Sequence, residues 1–209
     1  MSWLRAGLAG LLLTASLAEG ADFEARIASA TRQPVEDAGV VLEPLSGTPP
    51  ARRQKAVIAQ QDRDFVPFLT VVQAGSAVDF PNRDPIKHHV YSFSPAKIFE
   101  IKLYAGKPAQ PVTFAKPGEV AIGCNIHDWM EAYVWVVDSP YFAKTGADGR
   151  ARIEDVPPGR YRLRVWHPRQ RKVAATVEVD TASQHAAAVV LEVAPRMARP
   201  KPPTPTDQY

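Results

Sequence analysis

Between residues 56 and 138 the hydrophobic positions come in short runs, alternating or continuous, separated by Gly, Pro, Asn and Asp. Such runs predict strands, because an amphipathic helix needs its three-to-four-residue repeat sustained over ten or more positions. The spacing predicts strands over 68–73, 77–80, 90–93, 99–104, 111–114, 120–124 and 132–137, which make an all-β sandwich or barrel with one small core over 56–140.

A second series follows Pro140. Asp148-Gly149 predicts a hairpin turn between strands over 142–145 and 151–156, and Pro157-Pro158-Gly159 turns the chain into a strand over 161–167. Runs at 172–179 and 186–193 continue it. Two more strand-like runs, 23–28 and 40–45, flank Gln33-Pro34 ahead of the middle region. Two strands alone are marginal in water. Joined to the C-terminal series they predict a six-stranded antiparallel sandwich over 22–47 and 141–194, into which the middle region is inserted at a surface loop. The simpler arrangement, in which the two strands extend the middle domain, stays open at this point.

Composition sharpens the picture. Twenty prolines among 209 residues disfavour long helices, and 45% apolar with 22% charged residues is the profile of a globular chain. A net charge of only +3, without a basic run in the folded part, excludes nucleic acid as the expected partner. The N-terminus reads as an export signal over 1–20: Arg5 precedes an uncharged stretch from Ala6 to Ala18, too short to span a bilayer, with small residues after it. The expected mature protein is therefore soluble outside the cytoplasm, with no membrane span after signal removal; in a bacterium that is the periplasm. Residues 195–209, with five prolines and three basic residues, read as a flexible tail.

Export makes the cysteine count informative. Cys124 is the sole cysteine, so no internal disulfide can form, and a free thiol in an oxidising compartment calls for an occupant. Cys124, His127 and Met130 stand three apart at the end of an apolar strand, where a tight loop can aim thiolate, imidazole and thioether at one point. Thiolate and thioether are soft and imidazole borderline, a set that suits copper in both oxidation states, whereas zinc more often recruits further cysteines or a carboxylate. Two histidines and a cysteine with a long axial methionine make a blue-copper electron-transfer site. The second histidine must come from His88 or His89. The competing reading makes Cys124 a buried small hydrophobe, Met130 a core filler and His127 a surface residue.

With these residues in view, residues 56–138 resemble the cupredoxins, most closely the small amicyanin and plastocyanin type. The resemblance rests on Phe80-Pro81-Asn82, the histidine six residues after that asparagine, Pro117-Gly118, and the loop from Cys124 to Met130. It implies a Greek-key barrel and one type 1 copper ion held by His88, Cys124, His127 and Met130. His89 and Asn125 stand where the family commonly has asparagine and a hydroxyl residue. His89, Asn125 and Asn82 are accordingly expected to steady the ligands through hydrogen bonds, with His89 the alternative ligand. Some relatives with this loop carry the label of methylamine-utilisation proteins. The flanking motifs, Gln33-Pro34-Val35, Val40-Val41-Leu42, Asp148-Gly149 and Pro157 to Tyr161, resemble carboxypeptidase-regulatory or transthyretin-like β-sandwich modules.

The implied function is that of a one-electron carrier between redox proteins, not an enzyme, with Trp129 beside His127 as an apolar docking patch. The first alternative is a periplasmic copper chaperone or storage protein using the same ligands. The second is an envelope module whose outer sandwich contacts glycan or protein through Tyr161, Trp166 and His167. Trp166 is expected rather to pack the two β regions together, and His167 and His185 to be surface residues. Five histidines without a His-x-His pair are too few for an additional copper cluster, which sets a multicopper enzyme aside.

Overall fold

In a computed structural model that describes residues 20–108, 110–173 and 176–195, every regular element is a β-strand. The export-signal segment up to residue 19 and the tail from residue 196 lie outside the described residues. The strands are β1 (Ala21–Ala28), β2 (Gly39–Pro44), β3 (Lys55–Val57), β4 (Ala59–Gln60), β5 (Phe65–Val66), β6 (Leu69–Gln73), β7 (Ser76–Asp79), β8 (His88–Ser94) and β9 (Lys97–Tyr104). They continue as β10 (Val112–Phe114), β11 (Gly118–Gly123), β12 (Glu131–Val137), β13 (Phe142–Lys144), β14 (Arg150–Val156), β15 (Arg160–Trp166), β16 (Val177–Asp180) and β17 (Ala186–Val190).

Four main sheets result. Two of them, β14-β1-β17 and β13-β2-β15-β16, close over one core: Phe23, Ala25 and Ile27 of β1 meet Val40 and Leu42 of β2, Ile153 of β14, and Leu163 and Val165 of β15. Alternation along most of β1, β14 and β15 sends every second side chain into this core and the intervening charged ones to water; it breaks at Glu154-Asp155, both exposed, and at Val165-Trp166, both buried. Each of the seven runs read from the sequence on either side of the middle region becomes a strand, so the sandwich has seven strands and not six. All its pairs are antiparallel except β1 with β17.

Both predicted turns exist, but neither makes a hairpin. Asp148-Gly149 leads from β13 to β14 and Pro157-Pro158-Gly159 from β14 to β15, and in each case the two strands lie in opposite sheets. Each strand buries its apolar face against the same core, so consecutive strands fold over one another instead of pairing side by side. Tyr161 braces the second turn by donating its hydroxyl to Pro157 O at 2.9 Å.

The other two sheets, β6-β12-β11-β8-β9 and β10-β7-β3, enclose a second core around Val72, Phe80, Val90, Phe114, Val120 and Ile122. The short pair β4-β5 lies beside them. With two or three residues each, β3, β4 and β5 are too short to leave an alternating signature, and the sequence pattern does not show them.

Strand β12 joins the two halves. Its Ala132, Val134 and Val136 face the second core, while Trp135 and Val137 face the other way into a seam with Val41, Phe68, Leu69 and Trp166. The Trp135 and Trp166 rings lie 5.9 Å apart, and a Cβ on Gly39 would come within 2.6 Å of the Trp135 ring, so only glycine fits there. Cutting a buried tryptophan of this kind to alanine costs about 3–5 kcal/mol. Tyr161, Trp166 and His167, the expected contacts of an outer binding face, are all buried, and cannot meet glycan. Trp166 packs the seam, whereas His185 is exposed as expected.

His167 is a correction to the surface reading, being 0% exposed. Its Nδ1 accepts the Arg169 N–H at 3.0 Å, and its buried Nε2 has no partner. Burial, reinforced by the positive Arg169 and opposed by Asp37, pushes its pKa down to about 4 from the ordinary 6.5. Between those two values the unfolded chain binds a proton that the folded chain refuses. Stability therefore falls as pH drops through this window, by about 1.4 kcal/mol per pH unit and about 3 kcal/mol in all. Urea unfolding of the wild type and His167→Asn at pH 7 and pH 4.5 tests this: the variant should lose markedly less stability, and equal losses would refute the assignment.

Candidate metal centre

The register of β11 against β12 builds half of the site. Gly123 pairs with Glu131, so residues 124–130 form the closed loop between the two strands. Within it Cys124, His127 and Met130 turn inward and are buried, while Asn125 and Asp128 remain in water. The Met130 N–H donates to His127 O at 3.0 Å, which tightens the loop. A Cβ on Gly123 would meet the Tyr91 ring at 2.9 Å, so the residue before the cysteine must be small for β8 to lie against it.

The other half comes from the start of β8. Adjacent strand residues point to opposite faces, so His88 and His89 cannot both serve one site. His88, fully buried, points inward; its Nδ1 lies 3.1 Å from His127 Nδ1, and Cys124 Sγ lies 3.7 Å from the same nitrogen. One ring nitrogen of each histidine and the sulfur all lie within 4.8 Å of one another. An ion about 2.0–2.1 Å from nitrogen and about 2.3 Å from sulfur can touch two nitrogens up to about 4 Å apart, or a nitrogen and a sulfur up to about 4.4 Å apart. Both pairs measured at His127 meet that condition. Met130 packs in the same core cluster as Cys124.

His89 belongs to the outer face of β8. Its Nε2 lies 2.9 Å from Glu100 Oε1, its Nδ1 is buried without a partner, and its ring stacks 5.6 Å from Tyr91. It is absent from the group formed by His88, Cys124 and His127. No hydrogen bond joins it to Asn125; the two face one another across a cavity of about 380 Å³. The expected steadying pair is thus not formed.

Asn82 ties together the loop that leads into β8. Its Nδ2 donates to Ile86 O at 2.7 Å and Tyr104 O at 3.0 Å, and its Oδ1 accepts the Asp84 N–H at 2.9 Å. The Tyr104 hydroxyl is held between Gln60 and Phe80 O, and burial pushes its pKa up to about 12.

Asp84 is the contact that sequence reasoning misses. Its Oδ2 lies 2.7 Å from His88 Nε2, and its two oxygens accept the N–H groups of Asp62 and Arg63 at 2.7 and 2.9 Å. Burial opposes the carboxylate charge, but these donors, the Arg63 N–H first, outweigh it and hold the pKa below the usual range. A carboxylate only accepts, so the His88 proton sits on Nε2 and Nδ1 keeps its lone pair for a metal. Asp84 lies four residues before His88 in an irregular loop, where no periodicity marks the relation.

Trp129, expected as a docking patch, is half-buried. Its indole N–H donates to Arg63 O at 3.0 Å, and its ring lies 5.0 Å from that of His127.

No family model and no curated protein matches this sequence. Among solved structures, the chain is similar to a purple cupredoxin from Nitrosopumilus maritimus at 19% identity and TM-score 0.35, over 39% of this chain and 99% of the other. It is similar to amicyanin from Paracoccus versutus at 16% identity and TM-score 0.34, over 47% and 97%. It is also similar to a copper-containing nitrite reductase from Thermus scotoductus SA-01 at 20% identity and TM-score 0.38, over 54% of this chain but only 28% of that enzyme. The chemistry of the site follows from this chain's own side chains.

Replacing Asp84 by alanine strands two backbone N–H groups and the His88 ring proton together. Loss of charge-assisted hydrogen bonds of this kind costs about 3 kcal/mol. Because the Asp84 pKa is lowered on folding, its contribution is full above the ordinary carboxylate range and fades as pH falls below it. Urea unfolding at pH 7 should show the deficit, and Asp84→Ala and wild type should converge in acid; a variant as stable as wild type at pH 7 would refute this.

Proposed function

We propose that this chain is an exported type 1 copper protein of the cupredoxin kind, which carries single electrons between redox partners and transforms no substrate. The observation that carries the proposal is the convergence of His88 Nδ1, His127 Nδ1 and Cys124 Sγ at the buried end of a β-sandwich, with the Met130 thioether packed in the same core. Bound copper would supply the Cu(II)/Cu(I) couple, one electron accepted from a reduced partner and one returned to an oxidised one. The protein's contribution is rigidity. Both histidine rings are braced, His88 by its bond to Asp84 and His127 by the tilted Trp129 ring packed against it, so the donors hold one arrangement while the charge changes. The N-terminal signal pattern supports a periplasmic location, and the motif resemblance to cupredoxins supports the copper assignment.

Burial favours carriage over delivery of copper. A chaperone hands its metal over by ligand exchange, which needs at least one donor open to the acceptor, yet His88, Cys124 and His127 are all buried.

Adding Cu(II) to the metal-free protein should produce an intense visible thiolate-to-copper absorption that reduction bleaches and reoxidation restores. Cys124→Ser should abolish the colour, and Met130→Gln should keep it while lowering the reduction potential. A wild-type protein that stays colourless, or a colour that survives Cys124→Ser, would overturn the proposal.

A further inference from the structure

Strands β4 and β5 form a hairpin whose tip is a two-residue turn. Gln61 N–H donates to Asp64 O at 2.9 Å and Asp64 N–H to Gln61 O at 3.1 Å, which leaves Asp62 and Arg63 at the apex. Both adopt left-handed backbone, with φ of 56° and 55°. A two-residue hairpin turn of this kind asks for positive φ at both central residues, and Asn-Gly or Asp-Gly is the usual answer. Arginine in that region costs about 1–2 kcal/mol, which persists only where the surroundings fix it.

The surroundings here are the two histidines of the metal centre. On one side the Asp62 and Arg63 N–H groups grip the Asp84 carboxylate, which holds His88 Nε2 at 2.7 Å. On the other side Arg63 O accepts the Trp129 indole N–H at 3.0 Å, and the Trp129 ring lies against that of His127, tilted by 53° with centroids 5.0 Å apart. One peptide-long apex thus reaches His88 through its donors and His127 through its acceptor. The rest of the hairpin is anchored to the same loop, because Gln60 N–H donates to Pro81 O and Arg83 N–H to Gln60 O.

We propose that the Asp62-Arg63 apex is the positioning element of the metal centre, a backbone clamp that fixes the orientation of both His88 and His127 and couples them to one another. The clamp rests on the copper reading for its purpose. Its geometry belongs to the metal-free chain and is tested there.

The test is carried out on the full-length chain without metal, by recording the imidazole ring signals of His88, His127 and the distant, exposed His185. Arg63→Pro removes the N–H and forbids the left-handed backbone. It should shift or broaden the rings of both His88 and His127 and leave His185 unchanged. Arg63→Gly keeps the N–H, the carbonyl and the positive φ, and should restore both signals. Copper affinity should fall about 10- to 100-fold in the proline variant and return in the glycine variant. Should the proline variant not fold, Trp129→Phe decides: it keeps an aromatic ring over His127, loses only the bond to Arg63, and should disturb His88 as well as His127. An unmoved His88 in Trp129→Phe, wild-type ring signals in Arg63→Pro, or a glycine variant that behaves like proline would each overturn the clamp. A wild type that binds no copper would defeat the copper assignment while leaving the ring signals to judge the apex.

Discussion

One pairing governs the site: Gly123 opposite Glu131, the last rung of the β11–β12 ladder before the loop. Slipping the ladder by one residue would reverse the face of every β12 side chain, moving Trp135 into the inner core and Val134 into the seam. It would also lengthen or shorten the loop, so that Cys124, His127 and Met130 no longer shared a side. The register is specified because both faces of β12 are buried in differently shaped surroundings. An aliphatic face meets Val72, Val78 and Val120; an aromatic face meets Trp166 and Phe68.

The double burial of β12 gives the outer sandwich a mechanical meaning. In a free-standing sandwich of this size the Trp135 face would look at water. Here the β2–β15 sheet covers it, Gly39 lets the backbone approach, and Arg164 sets its guanidinium 5.7 Å over the Trp135 ring while its Nη1 reaches Glu43 at 2.7 Å. The strand that leaves the metal loop is thereby packed on two sides. Stiffness of this kind is what the proposed electron carrier needs, since two oxidation states can share one ligand arrangement only if the scaffold resists relaxing around each.

What the sequence made legible was local. The three-residue spacing of Cys124, His127 and Met130 could be read because all three lie in one loop, and donor softness narrowed the metal. Choosing His88 over His89 needed either a family likeness or the strand's two-residue alternation, fixed only once β8 is seen to start at His88. The turns at Asp148-Gly149 and Pro157-Pro158-Gly159 were visible as reversals, but turn chemistry says where a chain bends and not which sheet receives it. Asp84 and the Asp62-Arg63 apex were invisible for a different reason. The bonds between them join a hairpin turn to an irregular loop about twenty residues on, through backbone donors that every residue possesses. His167 was misread because a polar side chain among charged neighbours looks exposed until the seam that swallows it is known.

The lone thiol ties these observations together. A chain with a single cysteine cannot protect it by pairing within itself, so in an oxidising compartment it must shield the sulfur or occupy it. Cys124 is buried in the second core, under the loop that Met130 and His127 close, with Tyr91 laid over the preceding glycine. Shielding by apolar packing alone would raise the cost of a thiolate, since nothing would balance its charge. The two imidazoles beside the sulfur change that balance: His88, its proton held on Nε2 by Asp84, offers an Nδ1 lone pair that repels a bare anion but welcomes a cation. The pocket is therefore poorly suited to an unaccompanied thiolate and well suited to a soft cation. The same burial that keeps oxidants from the sulfur also keeps water from the three donors, so one piece of packing serves both protection and the electron carriage proposed for the site.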